Sequence, residues 1–455
     1  MTFRKRIDTT RRVFLGKMAR AALAAGATPH LLSASDRASV QLIPSRPFPS
    51  LNDQIQLAVI GAGGMGMADV ETALQVPGVR LVAACDCYDG RLAEARGKHG
   101  DDLFTTRDYR ELLAREDIDA VIVGTPDHWH AKISTEALRA GKAVYCEKPM
   151  VHTISQGQEV IRAQEESGKT FQVGSQGMSS LGNEKAKELF EDGAIGELNY
   201  AEGFWARNDP IGAWQYGIPD DASEETVDWE MFLGDSPPRR FDPLRVFRWR
   251  NYRDYGTGVS GDLFVHLFSS LHYIVSSKGP RTIMAQGGLR YWKDGREVPD
   301  ILLGMFDYPA ADTHTPFNLS LRVNFVDGTS GSTFLRLVGH EGAMDVNWTD
   351  VILRRNKVSG PTDVFNQLKS DEVESVPSAR KQMLPPAESV YVAETGYLGA
   401  HFDHFMNFFN GVRNGTPVIE DAVFGMRAAA PALACNESHF EERIVHWDPE
   451  EMKVS

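Results

Sequence analysis

The chain has 455 residues, 42% hydrophobic and 24% charged, and a formal net charge of −14. That size and balance exclude a disordered chain and point to two soluble domains. Residues 1–35 carry seven of the basic residues against one acid, so the rest is about −20, which disfavours nucleic acid or an anionic membrane surface as a partner.

The chain opens with Thr10-Arg11-Arg12-Val13-Phe14-Leu15. A mildly apolar, alanine-rich stretch, Met18 to Ala27, follows and is too short to stay as a membrane-spanning helix. Small residues at Ser33-Ala34-Ser35 offer a cleavage site. Residues 1–35 resemble a twin-arginine export signal, and no cysteine precedes Cys85 to carry a lipid anchor. The expectations are a periplasmic location, a passing contact with the export machinery, and no stable membrane anchor. Residues 36–54 are polar and proline-bearing, and they read as a linker or an arm over the surface.

From Ile55 strands and helices alternate. Strand Ile55 to Ile60 enters a turn with Gly61, Gly63 and Gly66 at G-x-G-x-x-G spacing, filled by Ala62, Gly64 and Met65. The first glycine permits the tight turn, the second lets backbone approach a pyrophosphate, and the third lets helix pack on strand. A second strand, Val79 to Cys85, ends at Asp86, placed to receive ribose hydroxyls and to repel a 2′-phosphate. The cofactor expected is NAD, with NADP disfavoured. A helix over Asp108 to Arg115, strand Ala120 to Gly124, helix Ala131 to Ala140, strand Ala143 to Cys146, helix Ser155 to Ser167 and strand Thr170 to Val173 complete a parallel sheet covered on both faces. This assigns 55–174 to a doubly wound Rossmann domain.

After Gly174 the period becomes two. Leu198 to Ala206, Thr282 to Trp292, Ile301 to Tyr308, Asn318 to Phe325, Ser332 to Val338 and Met344 to Arg354 read as antiparallel strands with one buried face. Residues 175–455 are therefore expected to form an α+β substrate and oligomerisation domain with a large open sheet. Residues 207–256, dense in Trp, Tyr, Phe and Arg, read as a structured insertion over a site. The four cysteines, Cys85, Cys87, Cys146 and Cys435, read as core packing with three in buried strands, neither disulfides nor a metal site.

Two loops at the carboxyl edge of the parallel sheet carry chemistry: Thr125-Pro126-Asp127-His128-Trp129-His130 and Glu147-Lys148-Pro149. Lys148 is thereby placed near the nicotinamide, where an ammonium stabilises negative charge developing on oxygen. Further on, Asp262 and His266 are four apart, on one face of a helix that begins after glycines, so a carboxylate can orient an imidazole that removes a hydroxyl proton.

These motifs in this order resemble the Gfo/Idh/MocA oxidoreductase family, which includes glucose-fructose oxidoreductase and inositol dehydrogenase. Val144 to Pro149, Gln172 to Gln176, Trp249 to Gly258 and the stretch from His401 to Trp447-Asp448 are similar to an exported branch common in Bacteroidetes and Planctomycetes. The resemblance implies Lys148, Asp262 and His266 for hydride and proton transfer. It implies cofactor contacts from Gly61 to Gly66, Asp86, Arg91, Thr125, Pro126, His128, His130, Glu147 and Gln176. Trp205, Arg207, Trp249 and Tyr255 are the candidate substrate contacts, since aromatic faces suit pyranose C–H faces and arginine suits hydroxyls or a carboxylate. Leu267-Phe268-Ser269-Ser270 departs from the family's usual continuation after the histidine. The activity implied is NAD-dependent oxidation of a ring hydroxyl in a small sugar or glycoside, with the cofactor tightly held. The alternatives are a NAD-dependent glycosidase and a sugar-binding protein that retains NAD without catalysis. A homodimer or homotetramer through the open sheet is also implied.

Overall fold

A computed structural model describes residues 39–45, 54–209, 211–328, 331–358 and 383–454. Residues 1–35, expected to be an export signal, lie outside the described residues, and the arm expected over 36–54 lies partly outside them. Within the arm, Ser39–Ile43 is a strand, β1, paired in parallel with Met383–Ala393 (β15), a strand the sequence reading did not find. The linker expected there is thus an edge strand, and Val40 and Leu42 on it are exposed.

The first sheet has six parallel strands: Ile55–Ile60 (β2), Val79–Cys85 (β3), Phe104–Thr106 (β4), Ala120–Val123 (β5), Ala143–Cys146 (β6) and Phe171–Val173 (β7), in the order β4-β3-β2-β5-β6-β7. Its central strands β5 and β6 are buried throughout, which is why they read as unbroken apolar runs without alternation. One face of this sheet is closed from far away in sequence. Helix Ala400–Asn414 lays Phe402, Phe405, Phe408 and Phe409 against Leu57, Val59, Ile122 and Tyr145, with Phe405 stacked on the Tyr145 ring at 4.3 Å. The Rossmann unit is therefore not closed by residues 55–174 alone.

The second sheet has eleven strands, ordered β1-β15-β14-β13-β12-β8-β11-β10-β9-β16-β17. Its centre is Leu198–Ala206 (β8), flanked by Phe317–Asn324 (β11) in parallel and Thr333–Gly339 (β12) antiparallel. Thr282–Gly288 (β9) and Ile301–Tyr308 (β10) continue one side antiparallel. The single strand expected over Met344 to Arg354 is two, Gly342–Val346 (β13) and Asp350–Val358 (β14), because Asn347-Trp348-Thr349 makes a hairpin between them. Alternation shows in burial: Leu302, Gly304 and Phe306 point inward while Leu303 and Met305 point out. On the inner face lie helices Val265–Val275 and Ala422–Glu441, the latter with a run of buried alanines from Ala428 to Ala434 that lets it pack closely. Val445–Asp448 (β16) and Lys453–Val454 (β17) finish the sheet.

Helix Asp127–Arg139 begins four residues earlier than the pattern suggested, because Pro126 suits the position before a first turn that opens on an acid. Cys87 falls beyond the end of β3 and Cys435 lies in a helix, so two of the four cysteines are in buried strands. All four are free thiols. No helix among the described residues is long and apolar enough to cross a membrane.

Candidate active site between the two sheets

The cavity of about 660 Å³ at the carboxyl edge of the parallel sheet extends from the glycine turn to the inner face of β8. At one end Gly61 adopts a left-handed φ of 92°, and a Cβ there would lie 2.6 Å from the Gly124 carbonyl carbon. A Cβ on Gly66 would lie 2.0 Å from the Gly61 oxygen, so the third glycine sets how closely the helix sits on the strand. Gly63, Gly64 and Met65 line the cavity, whereas Ala62 and Gly66 are buried behind it. Helix Gly64–Ala73 starts at Gly63 with no side-chain cap, which leaves its first N–H groups for an anion. Asp86 lines the cavity and accepts from the Tyr88 amide at 3.0 Å, with the Arg91 guanidinium 3.4 Å away and lying against Gly63. An uncapped helix start, a turn only glycine can occupy and a carboxylate at the next strand's end fit NAD.

Thr125 and Pro126 line the same wall. His130 does not. Its ring contacts the Thr125 and Pro149 carbonyls at 2.9 and 2.7 Å, joining the two carboxyl-edge loops from behind. His128 is also outside the lining: its Nε2 meets the Phe232 carbonyl at 2.9 Å, and burial pushes its pKa down to about 4. Both histidines expected at the cofactor therefore brace the loops. Glu147 faces the cavity and accepts from Gln176 Nε2 at 2.6 Å. Burial raises it to about 7 against the opposing pull of Lys148, Gln176 and Arg250. Behind it lies Asp69, wholly buried and raised well above the usual carboxylate range by burial and then by Glu147.

At the other end, the Lys148 ammonium donates to Asp262 Oδ1 at 2.7 Å and to the Asp262 carbonyl at 2.9 Å. Asp262 also accepts from Arg250 Nε at 3.3 Å, and Arg250 stacks over the Trp249 ring at 4.2 Å. Burial works to raise the Asp262 carboxyl, but Lys148, Arg250 and Arg207 outweigh it and hold the group well below its usual range. His266 lies at the start of helix Val265–Val275, its ring 5.2 Å from that of Trp205 and 6.3 Å from that of Trp348. Burial, and then Lys148, press its pKa well below the ordinary value, so the imidazole is neutral at neutral pH and able to accept a proton.

The acid–imidazole pair expected from the four-residue spacing does not form: no hydrogen bond joins Asp262 to His266 among the described residues, and His266 Nδ1 is buried without a partner. Residues Ser260–Phe264 form a wider π turn ahead of the α-helix, so the regular i, i+4 register is lost and the carboxylate turns to the two cations. Tyr255 departs as well. It is wholly buried among Phe232, His128 and Arg245 and does not line the cavity, whereas Trp205, Arg207 and Trp249 do. The insertion is structured, with a small core of Tyr88, Val227, Phe232, Val246 and Phe247. Lining residues that sequence reasoning missed include Arg250, Tyr216, Trp348 and His401. Arg250 sits inside the quoted Trp249 to Gly258 run, but Trp348 comes from the β13–β14 hairpin and His401 from the C-terminal helix, with no local signal. Among the described residues no group of three or more acids, cysteines or histidines could hold a metal ion.

Comparison with known proteins agrees with this geometry. Residues 55–175 match the model of the Gfo/Idh/MocA oxidoreductase family, described as an NAD-binding Rossmann fold. Inositol 2-dehydrogenase of Salmonella typhimurium is 32% identical over 145 residues, covering 31% of this chain and 43% of that protein. A glycosyl hydrolase family 109 protein of Shewanella baltica is 32% identical over 162 residues, covering 33% of this chain and 34% of that one. The chain thus spans less than half the length of the curated relatives it matches. Solved structures extend the likeness to the whole fold. A levoglucosan dehydrogenase complex with NADH and L-sorbose superposes with a TM-score of 0.61 at 18% identity, covering 86% of this chain and 98% of that one. A myo-inositol dehydrogenase candidate from Sinorhizobium meliloti superposes with a TM-score of 0.57 at 18% identity, covering 86% and 99%. Residues 55–175 thus match an NAD-binding Rossmann domain of the Gfo/Idh/MocA oxidoreductase family, and the large mostly antiparallel sheet joined to them belongs to a whole fold shared with these solved structures.

Proposed function

We propose, from an NAD-binding domain of this family, that the chain is an exported oxidoreductase acting on a ring hydroxyl of a sugar or glycoside. One observation carries the reading: Lys148 and His266 line the same cavity as the glycine turn and Asp86. NAD, when bound, supplies a hydride acceptor. The neutral His266 takes the hydroxyl proton as the carbon is oxidised, and the Lys148 ammonium steadies charge on the oxygen. Asp262 fixes the ammonium between its carboxylate and its carbonyl, and the aromatic walls of Trp205 and Trp249 suit a pyranose. Bound nicotinamide that changes absorbance on adding a sugar, and fails to do so in Lys148→Met, is the expected result. Unaltered turnover in that variant would sink the assignment.

The sequence similarity to family 109 hydrolases favours a second reading. Oxidation of a ring hydroxyl acidifies the neighbouring C–H, so a glycosidic substituent can be eliminated before the ring is reduced again. Release of nitrophenol from a nitrophenyl glycoside without added cofactor selects this reading; accumulation of a keto sugar selects the first.

Export is part of the proposal. The twin-arginine route carries folded proteins, so NAD enters with the chain and must be tightly held. Denaturing freshly purified protein is expected to release NAD, and Arg11→Lys with Arg12→Lys is expected to retain both in the cytoplasm. The outer face of the large sheet, with Met284, Leu303 and Met305 exposed, is the surface proposed to take a second copy. A monomeric mass by light scattering would remove that element.

A further inference from the structure

We propose that the substrate carries a fixed negative charge, a carboxylate or a sulfate ester, and that Arg207 is the side chain that receives it. The inference rests on the sugar-binding reading of the cavity and narrows its substrate class.

The substrate end of the cavity has more cations than it can balance. Lys148, Arg250 and Arg207 all line it, and Asp262 is the acid set among them. Lys148 and Arg250 both converge on that one carboxylate, on Oδ1 at 2.7 and 3.3 Å. Glu147 is turned to Gln176 instead, which donates to its Oε1 at 2.6 Å. Arg207 is half-buried with no ion pair and no side-chain hydrogen bond among the described residues: its guanidinium stands 6.0 Å from the Phe325 ring centre and reaches Asp262 only as a longer-range charge. A chain of net charge −14 that sets a guanidinium without an ion pair on an aromatic cavity wall has placed positive charge there against its overall trend. An anionic ligand supplies the missing partner, and the guanidinium fork matches the planar oxygens of a carboxylate as well as those of a sulfate.

Register says where the charge would sit. Arg207 follows directly on β8, which ends at Ala206, and is two residues beyond Trp205. Residues two apart in extended chain share a face and stand about 6.6 Å from each other. Trp205 packs on the His266 ring, so Arg207 lies about one pyranose breadth farther along from the proton acceptor. A sugar held with its reacting hydroxyl at His266 and Lys148 directs the opposite side of its ring to Arg207. A uronic acid carboxylate or a sulfate on the exocyclic oxygen meets that requirement, whereas an uncharged hydroxymethyl leaves the guanidinium unpaired.

Calorimetric titration of the protein as purified, with matched neutral, uronate and 6-sulfate members of the gluco and galacto series, tests this. At least one charged member is expected to bind about ten- to a hundredfold more tightly than its neutral counterpart, with the preference shrinking as salt rises. Arg207→Met is expected to erase the preference and Arg207→Lys to restore part of it. Uronate against sulfate separates the two sources of charge. Retained NAD in both variants shows that they fold. Equal or tighter binding of the neutral sugars, or a preference surviving in Arg207→Met, overturns the inference. If neutral sugars reduce the bound nicotinamide and charged ones do not, this inference falls and the oxidoreductase reading stands. If no member does so, both fall.

Discussion

The two ends of the cavity are made of different materials. The cofactor end is largely backbone: a left-handed Gly61, an uncapped helix start, and a Gly66 with no room for a methyl. The end proposed for substrate is side chains from separated stretches, with Lys148 and Arg250 held on Asp262 and His266 set between the Trp205 and Trp348 rings. A backbone cradle is determined over about a dozen residues and tolerates change around it. A charged side-chain cluster is a tertiary agreement, and each member's protonation depends on the others.

The largest expected effects break the substrate end alone. Lys148→Met removes the cation proposed for the reacting oxygen and leaves Asp262 to Arg250, so kcat is expected to fall about a hundred- to a thousandfold while NAD stays bound, as steady-state rates and released-NAD assays will check. His266→Gln removes the proposed proton acceptor and is expected to lower kcat by at least about a hundredfold. In the wild type the imidazole's depressed proton affinity predicts activity that persists below pH 6.5, the ordinary histidine value, and a pH–rate profile breaking near 6.5 would contradict it.

A paired test at the cofactor end sharpens the contrast. Gly66→Ala places a methyl 2.0 Å from the Gly61 oxygen and is expected to cost both NAD and folding stability. Gly64→Ala meets nothing within 4 Å, so its melting temperature is expected to be near wild type while NAD retention weakens by crowding the open space. Equal losses in both would deny that the helix start is a binding surface.

The smallest effect lies behind both ends. Glu420, on the buried layer beneath the cavity, is raised by burial from 4.5 to about 8 despite the Ser269 hydroxyl at 2.9 Å. A carboxyl that binds its proton more tightly when folded stabilises the fold below pH 4.5 and loses that contribution as pH rises through about 8. Glu420→Gln is expected to flatten the decline in melting temperature between those limits, and an unchanged slope would assign it elsewhere.

Much of this was open to local reading. Continuous apolar runs marked β2, β3, β5 and β6 because both faces of a parallel sheet are covered, and alternation marked β8 and β10 because one face is not. The β13–β14 turn was missed because Asn347-Trp348-Thr349 carries no glycine or proline to interrupt the pattern. Strand β1 was missed because its partner, β15, lies about 350 residues away.

By itself the sequence determined the glycine turn, Asp86 and the Lys148 loop, since a turn requiring left-handed backbone and a strand end at a sheet edge are properties of short stretches. Tertiary structure alone decided that Asp262 holds Lys148 instead of His266, that Tyr255, His128 and His130 brace the walls, and that Trp348 and His401 complete them. Spacing along a chain limits which side chains share a face. Which of them meet is set by competition among charges and rings that only packing brings within a few ångströms.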